Sequence, residues 1–134
     1  MPAPRLKRVY DAPADEDGLR ILVDRLWPRG LRKDAARIDR WLKEVAPSDA
    51  LRRRFHARPQ AWDDFRAAYA EELRDNPALA ELRALARRER VTLLYASRDA
   101  ERNNARALAE LLAGKKAPAR GRGSEGRTNS PVRK

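Results

Sequence analysis

The sequence predicts an α/β domain built around a small, mostly parallel sheet. Two apolar runs, RILVDRL at 20–26 and VTLLYA at 91–96, are typical of buried strands. The passage between them has helical spacing of its apolar residues, which favours a right-handed parallel crossover between the two strands. At 134 residues, the chain has the length of one domain.

A short strand is predicted at the start of the chain, where residues 5–10 alternate apolar and basic side chains. The next nine residues, 11–19, are rich in Asp, Pro and Gly, which indicates a loop. This link is short for a helical crossover. The first two strands therefore either pair antiparallel or are not neighbours in the sheet.

Several helices are predicted between the two apolar runs. The first ends before Pro47 and places on one face Ala35, Ile38, Trp41, Leu42 and Val45. Ser48 is the expected N-cap of a short second helix, and Pro59 is expected in the first turn of a third. That third helix presents on one face Trp62, Phe65, Tyr69 and Leu73. Asn76 is expected to cap a fourth helix, and a last helix follows 91–96 and stops at Gly114.

Composition excludes several classes of protein. The chain has no cysteine and a single histidine, His56, so disulfides, thiolate chemistry and paired histidine ligands are excluded. His56 itself is expected to be exposed. No Gly-rich phosphate loop or nucleophile elbow is present. No apolar run is long enough for a signal peptide or a membrane span, so we expect a cytoplasmic protein without a membrane partner, and we predict no cofactor and no metal.

Positive charge is concentrated at the end of the chain. Lys and Arg number 31 against 20 Asp and Glu, for a net charge of +11. Residues 114–134 carry seven of these positive charges and one negative charge. This segment has too few apolar side chains to form a core, so we predict a domain over 1–113 and a disordered basic tail over 114–134. The tail is suited either to loose contact with polyanions or simply to solubility.

Polar residues follow both apolar strands, at the edge where open parallel sheets bind ligands. The candidate ligand-binding residues there are Asp24, Arg25, Trp27, Arg29, Arg98 and Asp99. We expect all six to converge on one concave site. Because a carboxylate in an apolar strand needs a partner, Arg25 or Arg98 is expected to pair with Asp24.

These residue types suit an anionic ligand, although several also have a structural interpretation. Arginine binds phosphate or carboxylate with two parallel hydrogen bonds. Trp27 offers a flat face to a base or an arginine, and the N-terminus of the following helix favours an anion. Alternatively, Asp24 belongs to a structural ion pair, Trp27 covers the core, and Asp99 is the N-cap of that helix.

The segments RVYDAPADEDGLRILVDRLWPRGL, DRWLKEVAPS and VTLLYASRD resemble the YeaO-like proteins, a bacterial family of unknown function. The resemblance covers about residues 6–113, and VDRLWPRG is its most specific signature. It implies a Rossmann-like, three-layer α/β fold in which the first two strands are parallel. It implies no activity, because none is established for the family.

The chain departs from the wider superfamily at the positions that carry reactive side chains. Asp24 matches the aspartate of a Val-Asp-Val-Arg strand end in that superfamily. Residues 103–105 read Asn-Asn-Ala where the superfamily has Cys-His-Arg, and 102–104 read Arg-Asn-Asn where YeaO-like sequences often have His-Asn-His. Residues 57–58, Ala-Arg, stand where His-Asp is frequent. Catalysis by histidine is therefore not supported.

Three functions remain open from the sequence. The leading hypothesis is binding of an anionic ligand, either a nucleotide or a nucleic acid. The alternative is a small enzyme that acts on a nucleotide or base and uses Asp24 or Asp99 as its acid–base group. The third is an interaction module without a small-molecule site. Nucleic-acid binding, if present, is expected to be weak, sequence-tolerant and salt-dependent, since no recognition helix is evident.

Overall fold

An all-parallel sheet forms the centre of the structure, a computed structural model that describes residues 4–114. Its strands are β1 Arg5–Arg8, β2 Leu19–Leu22, β3 Arg40–Trp41 and β4 Val91–Tyr95. The helices are α1 Lys33–Ala36, α2 Asp49–Ala57, α3 Trp62–Leu73, α4 Pro77–Arg88 and α5 Asn104–Leu112. Apart from Gly114, the tail predicted over 114–134 lies outside the described residues, so the domain boundary stays a prediction.

The strand order is β1-β4-β2-β3, so β4 lies between the first two strands. Leu94 of β4 is opposite Lys7 on one side and Leu22 on the other, and both pairings are parallel. The expectation that a short link prevents β1 and β2 from being parallel neighbours is therefore confirmed. The parallel direction implied by the family resemblance is confirmed as well, because both strands run in the direction of β4.

Two apolar clusters cover the two faces of the sheet and make the three-layer α/β fold. Alternation along β2 puts Ile21 and Val23 on one face and Leu22 on the other. The larger cluster joins Ile21 and Val23 to buried side chains of α2, α3, α4 and α5. The smaller cluster joins Leu22 to the segment 27–41, through Trp27, Leu31, Ile38 and Trp41.

The helix predicted over 35–45 is wrong. One turn, α1, is present, and it ends because Arg37 adopts a left-handed conformation at φ 51°. The following residues form β3 instead, with Asp39 N–H donating to Arg20 O at 2.8 Å and Leu42 N–H to Leu22 O at 2.9 Å. Pairing with the open edge of β2 thus outweighs the helical spacing of the apolar side chains.

The other predicted helices are present, and two of their caps are confirmed. Ser48 Oγ accepts from Leu51 N–H at 3.1 Å at the start of α2, and Asn76 Oδ1 accepts from Ala78 N–H at 2.8 Å at the start of α4. The placement of Pro59 is wrong. It lies in a turn three residues before α3, which begins at Trp62.

A buried ion-pair network fixes the amino-terminal end of the sheet. Asp17 is 1% exposed, and its Oδ2 lies 2.5 Å from Arg20 Nη1 and 3.1 Å from Lys7 Nζ. Arg20 also donates to the backbone oxygens of Ala36 and Arg37, which holds the segment containing α1 in place. Burial acts to raise the pKa of Asp17, but the hydrogen bonds from Ala14 N–H, Lys7 and Arg20 outweigh it, so the pKa is lowered.

None of the helices within residues 4–114 is long and apolar enough to cross a membrane.

Candidate functional site

A cleft of about 690 Å³ opens at the carboxyl ends of β2 and β4, at the end of the sheet opposite Asp17. Its walls come from the loop after β2, the segments before and after α2, side chains of α2 and α3, the link after β4 and the start of α5. The cleft thus lies where open parallel sheets bind ligands, because strand ends meet there and loops leave space between them. Its volume is within the range of small-molecule sites.

Asp24 lines this cleft, two residues after β2 ends, and is half-buried. Its Oδ2 accepts a hydrogen bond of 2.9 Å from Ala96 N–H, and its Oδ1 accepts one of 3.0 Å from Asn104 Nδ2. Burial raises the pKa of Asp24, and these two hydrogen bonds reduce that increase without cancelling it. Asp24 is therefore a partly buried carboxylate that has hydrogen-bond donors but, among residues 4–114, no counter-ion.

The cationic partner predicted for Asp24 is not found. Across residues 4–114, no Lys or Arg lies within ion-pair distance of its carboxylate. Arg25 instead donates through Nε to Pro47 O at 3.3 Å, and Arg98 is exposed. The prediction failed because a backbone N–H and an amide side chain satisfy the carboxylate oxygens, a solution that residue spacing does not reveal.

Asn104 ties the first turn of α5 to the end of β2. Its Nδ2 donates to Val23 O at 3.1 Å as well as to Asp24 Oδ1, so both amide hydrogens are used. The residue before it, Asn103, is 2% exposed and caps α5 by accepting from Arg106 N–H at 2.8 Å. Asn104 was named from the sequence only as a departure from a motif, and its role as a partner of Asp24 was missed.

Asp99 lines the cleft, but its carboxylate is used within its own loop. Its Oδ1 accepts from Glu101 N–H and Arg102 N–H, both at 2.9 Å. These two bonds lower the pKa of Asp99. The alternative reading of Asp99 as the N-cap of the last helix is wrong, since Asn103 is that N-cap. Asp99 closes the turn before it.

Four arginines, Arg25, Arg52, Arg98 and Arg102, line the cleft, against two carboxylates. In the part of the chain that the structure describes, the guanidinium groups of Arg98 and Arg102 make no hydrogen bond or ion pair. Both side chains are exposed at the mouth of the cleft. The mouth is therefore positively charged and holds guanidinium donors that are available to an anion.

Aromatic side chains form the apolar part of the cleft. Phe55 and Phe65 are stacked with ring centroids 4.5 Å apart, and both line the cleft together with His56 of α2. His56 is exposed, as expected, and lies in the last turn of α2. The sequence predicts Phe65 only as part of an apolar helix face, and it marks neither Phe55 nor His56 as a site residue. Only the packing of α2 against α3 brings them to the strand ends.

Trp27 lines the cleft and also has the structural role considered for it. Its Nε1 donates to Leu31 O at 2.9 Å, and its ring makes an edge contact with Trp41 at 5.5 Å. Trp41 in turn donates to Asp24 O at 2.7 Å. The two tryptophans therefore fix the loop that carries Asp24.

Arg29 does not line the cleft. A turn from Pro28 to Leu31, in which Gly30 has a φ of 75°, reverses the chain. The backbone oxygen of Arg29 accepts from Tyr10 Oη at 2.8 Å, and its side chain is exposed. Five of the six candidate residues thus line one cleft. In the described part of the chain, no group of three or more His, Asp or Glu residues is placed to hold a metal ion.

Fold and cleft together define an α/β domain with a ligand-sized, positively charged opening at its strand ends. The chain belongs to the family described as the inactive DUF488-N3 subclade, which matches residues 4–133. Its relationship to YeaO-like proteins, suggested by VDRLWPRG, is confirmed by its identity to the YeaO protein itself.

Uncharacterised proteins of two mycobacteria and of Escherichia coli are similar to this chain over most of their length. The proteins of Mycobacterium bovis and Mycobacterium tuberculosis are each 49% identical over 111 residues, which is 83% of this chain and 94% of theirs. YeaO of Escherichia coli is 42% identical over 107 residues, 79% of this chain and 93% of YeaO. No solved structure matches the chain.

Proposed function

We propose that the cleft binds a nucleoside monophosphate, with the phosphate at Arg98 and Arg102 and the base against the aromatic wall. The observation that carries this proposal is the unpaired guanidinium group of Arg98 at the mouth of a partly apolar cleft. A guanidinium without a protein partner can give both donors of its fork to one phosphate. The half-buried ring of Phe55, supported by the buried ring of Phe65, supplies an apolar surface for a planar base.

The shape of the cleft favours a single nucleotide over a nucleic-acid strand. Sequence-tolerant strand binding uses a basic groove with successive stacking platforms along it. Here the cationic and aromatic groups are gathered around one cavity of about 690 Å³. The basic residues of 115–134 offer a separate means of contact with polyanions, and this contact stays a prediction from the sequence, as does the cytoplasmic location.

The enzyme alternative has less support than binding. Its strongest observation is Asp24, whose raised pKa is a common property of acid–base groups. Against it, the second candidate, Asp99, is engaged in closing a turn, and the family is described as inactive. Incubating the protein with the nucleotides that bind and searching for products by chromatography separates turnover from binding.

Calorimetric titration of the full chain tests the proposal. A nucleoside monophosphate is expected to bind at least about tenfold more tightly than the matching nucleoside, because charged hydrogen bonds to the phosphate are lost with it. Arg98→Ala is expected to weaken binding of the monophosphate by about tenfold or more. Arg87→Ala is the control, since Arg87 is exposed on α4 and does not line the cleft.

Two results contradict the proposal. One is the absence of binding by any of the common nucleoside monophosphates at millimolar concentration. The other is binding that does not depend on the phosphate or on Arg98. A third result would reassign the ligand. If a single-stranded oligonucleotide binds more tightly than every monophosphate, and Arg98→Ala weakens its binding to the same extent, the cleft binds nucleic acid rather than a nucleotide.

A further inference from the structure

Asp24 and Asn104 present hydrogen-bond acceptors among the residues that line the cleft. Each oxygen of Asp24 accepts one hydrogen bond, from Asn104 and from Ala96 N–H, and a carboxylate oxygen has room for another. Asn104 uses both amide hydrogens on Val23 O and Asp24 Oδ1. Because Val23 O can only accept, this orientation of the amide is fixed, and Oδ1 of Asn104 is left as an acceptor.

The oxygens of Asp24 and Asn104 form what we call the acceptor cluster. Both residues line the cleft, and within residues 4–114 no side chain donates to Asn104 Oδ1. The donors that hold Asp24 come from the backbone after β4 and from the first turn of α5. A ligand that fills the cleft therefore meets the acceptors of Asp24 and Asn104 as well as guanidinium donors, which are exposed at Arg98 and Arg102 and buried at Arg52 Nε.

We propose that the acceptor cluster selects the base, and that the selected base is guanine; this rests on the proposed binding of a nucleoside monophosphate. Guanine presents a ring N–H and an adjacent amino group on its pairing edge, and these two parallel donors match the two oxygens of a carboxylate. Arginine binds a carboxylate with the same paired geometry. Asp24 then accepts from the base while Arg98 donates to the phosphate.

Other bases fit the acceptor cluster poorly. Adenine and cytosine place a ring nitrogen with a lone pair beside their amino group, so that an acceptor faces the carboxylate. Uracil has a single N–H flanked by two carbonyl oxygens. Each of these leaves a buried acceptor facing another acceptor, which is a costly arrangement.

The same paired N–H edge occurs in alkylguanidinium compounds, which are the second source of this chemistry. Four arginines line the cleft against two carboxylates, so a ligand of net positive charge is repelled at the mouth. A nucleotide carries its negative charge on the phosphate and presents a neutral edge to Asp24. The charge of the cleft therefore favours guanine over an alkylguanidinium ion.

Calorimetric titration with matched nucleotides tests the proposal on the wild-type protein. Guanosine monophosphate is expected to bind about tenfold more tightly than inosine monophosphate, which lacks only the amino group, because one charged hydrogen bond is lost. Adenosine monophosphate is expected to bind more weakly than both. Agmatine, an alkylguanidinium compound, is expected not to compete at the same concentration.

Variants assign the preference to the acceptor cluster. Asp24→Asn replaces one carboxylate oxygen, an acceptor, by an amide NH2 group, a donor. It is expected to abolish the preference for guanosine monophosphate over adenosine monophosphate. Asp34→Asn makes the same chemical change at an exposed carboxylate outside the cleft and is expected to retain the preference.

Each outcome decides between the two proposals or overturns both. Equal binding of all three purine nucleotides to the wild-type protein overturns guanine selection and leaves nucleotide binding in place. Retention of the preference in Asp24→Asn also overturns the assignment to the acceptor cluster. Agmatine that competes as well as guanosine monophosphate overturns guanine as the ligand. If no nucleotide binds, both proposals fail.

Discussion

Asn104 donates to Asp24 across 3.0 Å and to Val23 O across 3.1 Å, so one side chain joins α5 to the end of β2. Asn104→Ala removes both bonds and leaves the carboxylate with Ala96 N–H as its donor. We expect a loss of about 1–3 kcal/mol in the free energy of unfolding, the usual cost of leaving partly buried acceptors without a partner. Urea unfolding followed by circular dichroism measures it.

A nearby exposed residue provides the control for that variant. Glu101 precedes α5 and its side chain is exposed, so Glu101→Ala is expected to change stability by less than about 0.5 kcal/mol. Equal effects of the two substitutions mean that the bonds of Asn104 contribute no stability.

Asp24 and Asp17 are expected to affect stability with opposite dependence on pH. The folded-state pKa of Asp24 is raised above its ordinary value of 3.8. Its contribution relative to Asp24→Asn is therefore present below that value and is lost as pH rises through the raised pKa. The pKa of Asp17 is lowered, so its contribution relative to Asp17→Asn is present above 3.8 and is lost as pH falls through the lowered pKa.

Urea unfolding of the wild type and both variants between about pH 4 and pH 7 tests these signs. The free energy of unfolding of the wild type minus that of Asp24→Asn should fall as pH rises. The corresponding difference for Asp17→Asn should rise or stay at its maximum. Parallel curves for the two variants would mean that the environments of the two carboxylates do not differ as the structure indicates.

Two arginines on neighbouring strands allow a comparison of buried and exposed ion pairs. Arg20 and Asp17 are both almost fully buried, whereas Arg40 and its partner Glu81 are exposed by 42% and 45%. Arg20→Met leaves the Asp17 carboxylate with Lys7 as its one cationic partner beside the Ala14 N–H, and we expect a loss of about 3–5 kcal/mol or failure to fold. Arg40→Met is expected to cost less than about 1 kcal/mol. Thermal unfolding of both variants measures the difference, and similar midpoints would contradict it.

Residues 115–134 are expected to control the salt dependence of any binding to nucleic acid. They carry seven positive charges and one negative charge, and each phosphate neutralised adds to the counterions released. Deleting them should flatten the plot of log affinity against log salt for a single-stranded oligonucleotide, while nucleotide binding in the cleft is unchanged. Fluorescence anisotropy at several salt concentrations measures this slope. An unchanged slope would place the phosphate contacts on residues 1–114.

Much of the fold was predictable because local signals and tertiary contacts agree. The apolar runs around Ile21 and Leu93 indicate buried strands. Both faces of a parallel sheet are covered, so consecutive residues of such a strand are apolar. The caps at Ser48 and Asn76 are local features of the chain. Trp41 shows the limit: it has helical spacing with its neighbours, yet its backbone pairs with β2, and only the open edge of that strand decides the outcome.

The candidate site was predictable where residues follow strand ends directly and was missed where tertiary packing supplies them. Asp24 and Arg98 follow β2 and β4 and line the cleft. Phe55 reaches the cleft only because α2 packs beside α3, and no sequence motif marks it. Arg29 failed for a local reason, because the turn containing Gly30 takes it away from the strand end.

The most direct test of nucleotide binding in the cleft is the change in amide NMR chemical shifts when guanosine monophosphate is added to the full chain. We expect saturable shifts concentrated on Asp24, Arg25 and residues 96–104, with no comparable shifts near Asp17 at the opposite end of the sheet. Shifts confined to residues 115–134, or no saturable shifts at millimolar nucleotide, would contradict a nucleotide site at the strand ends.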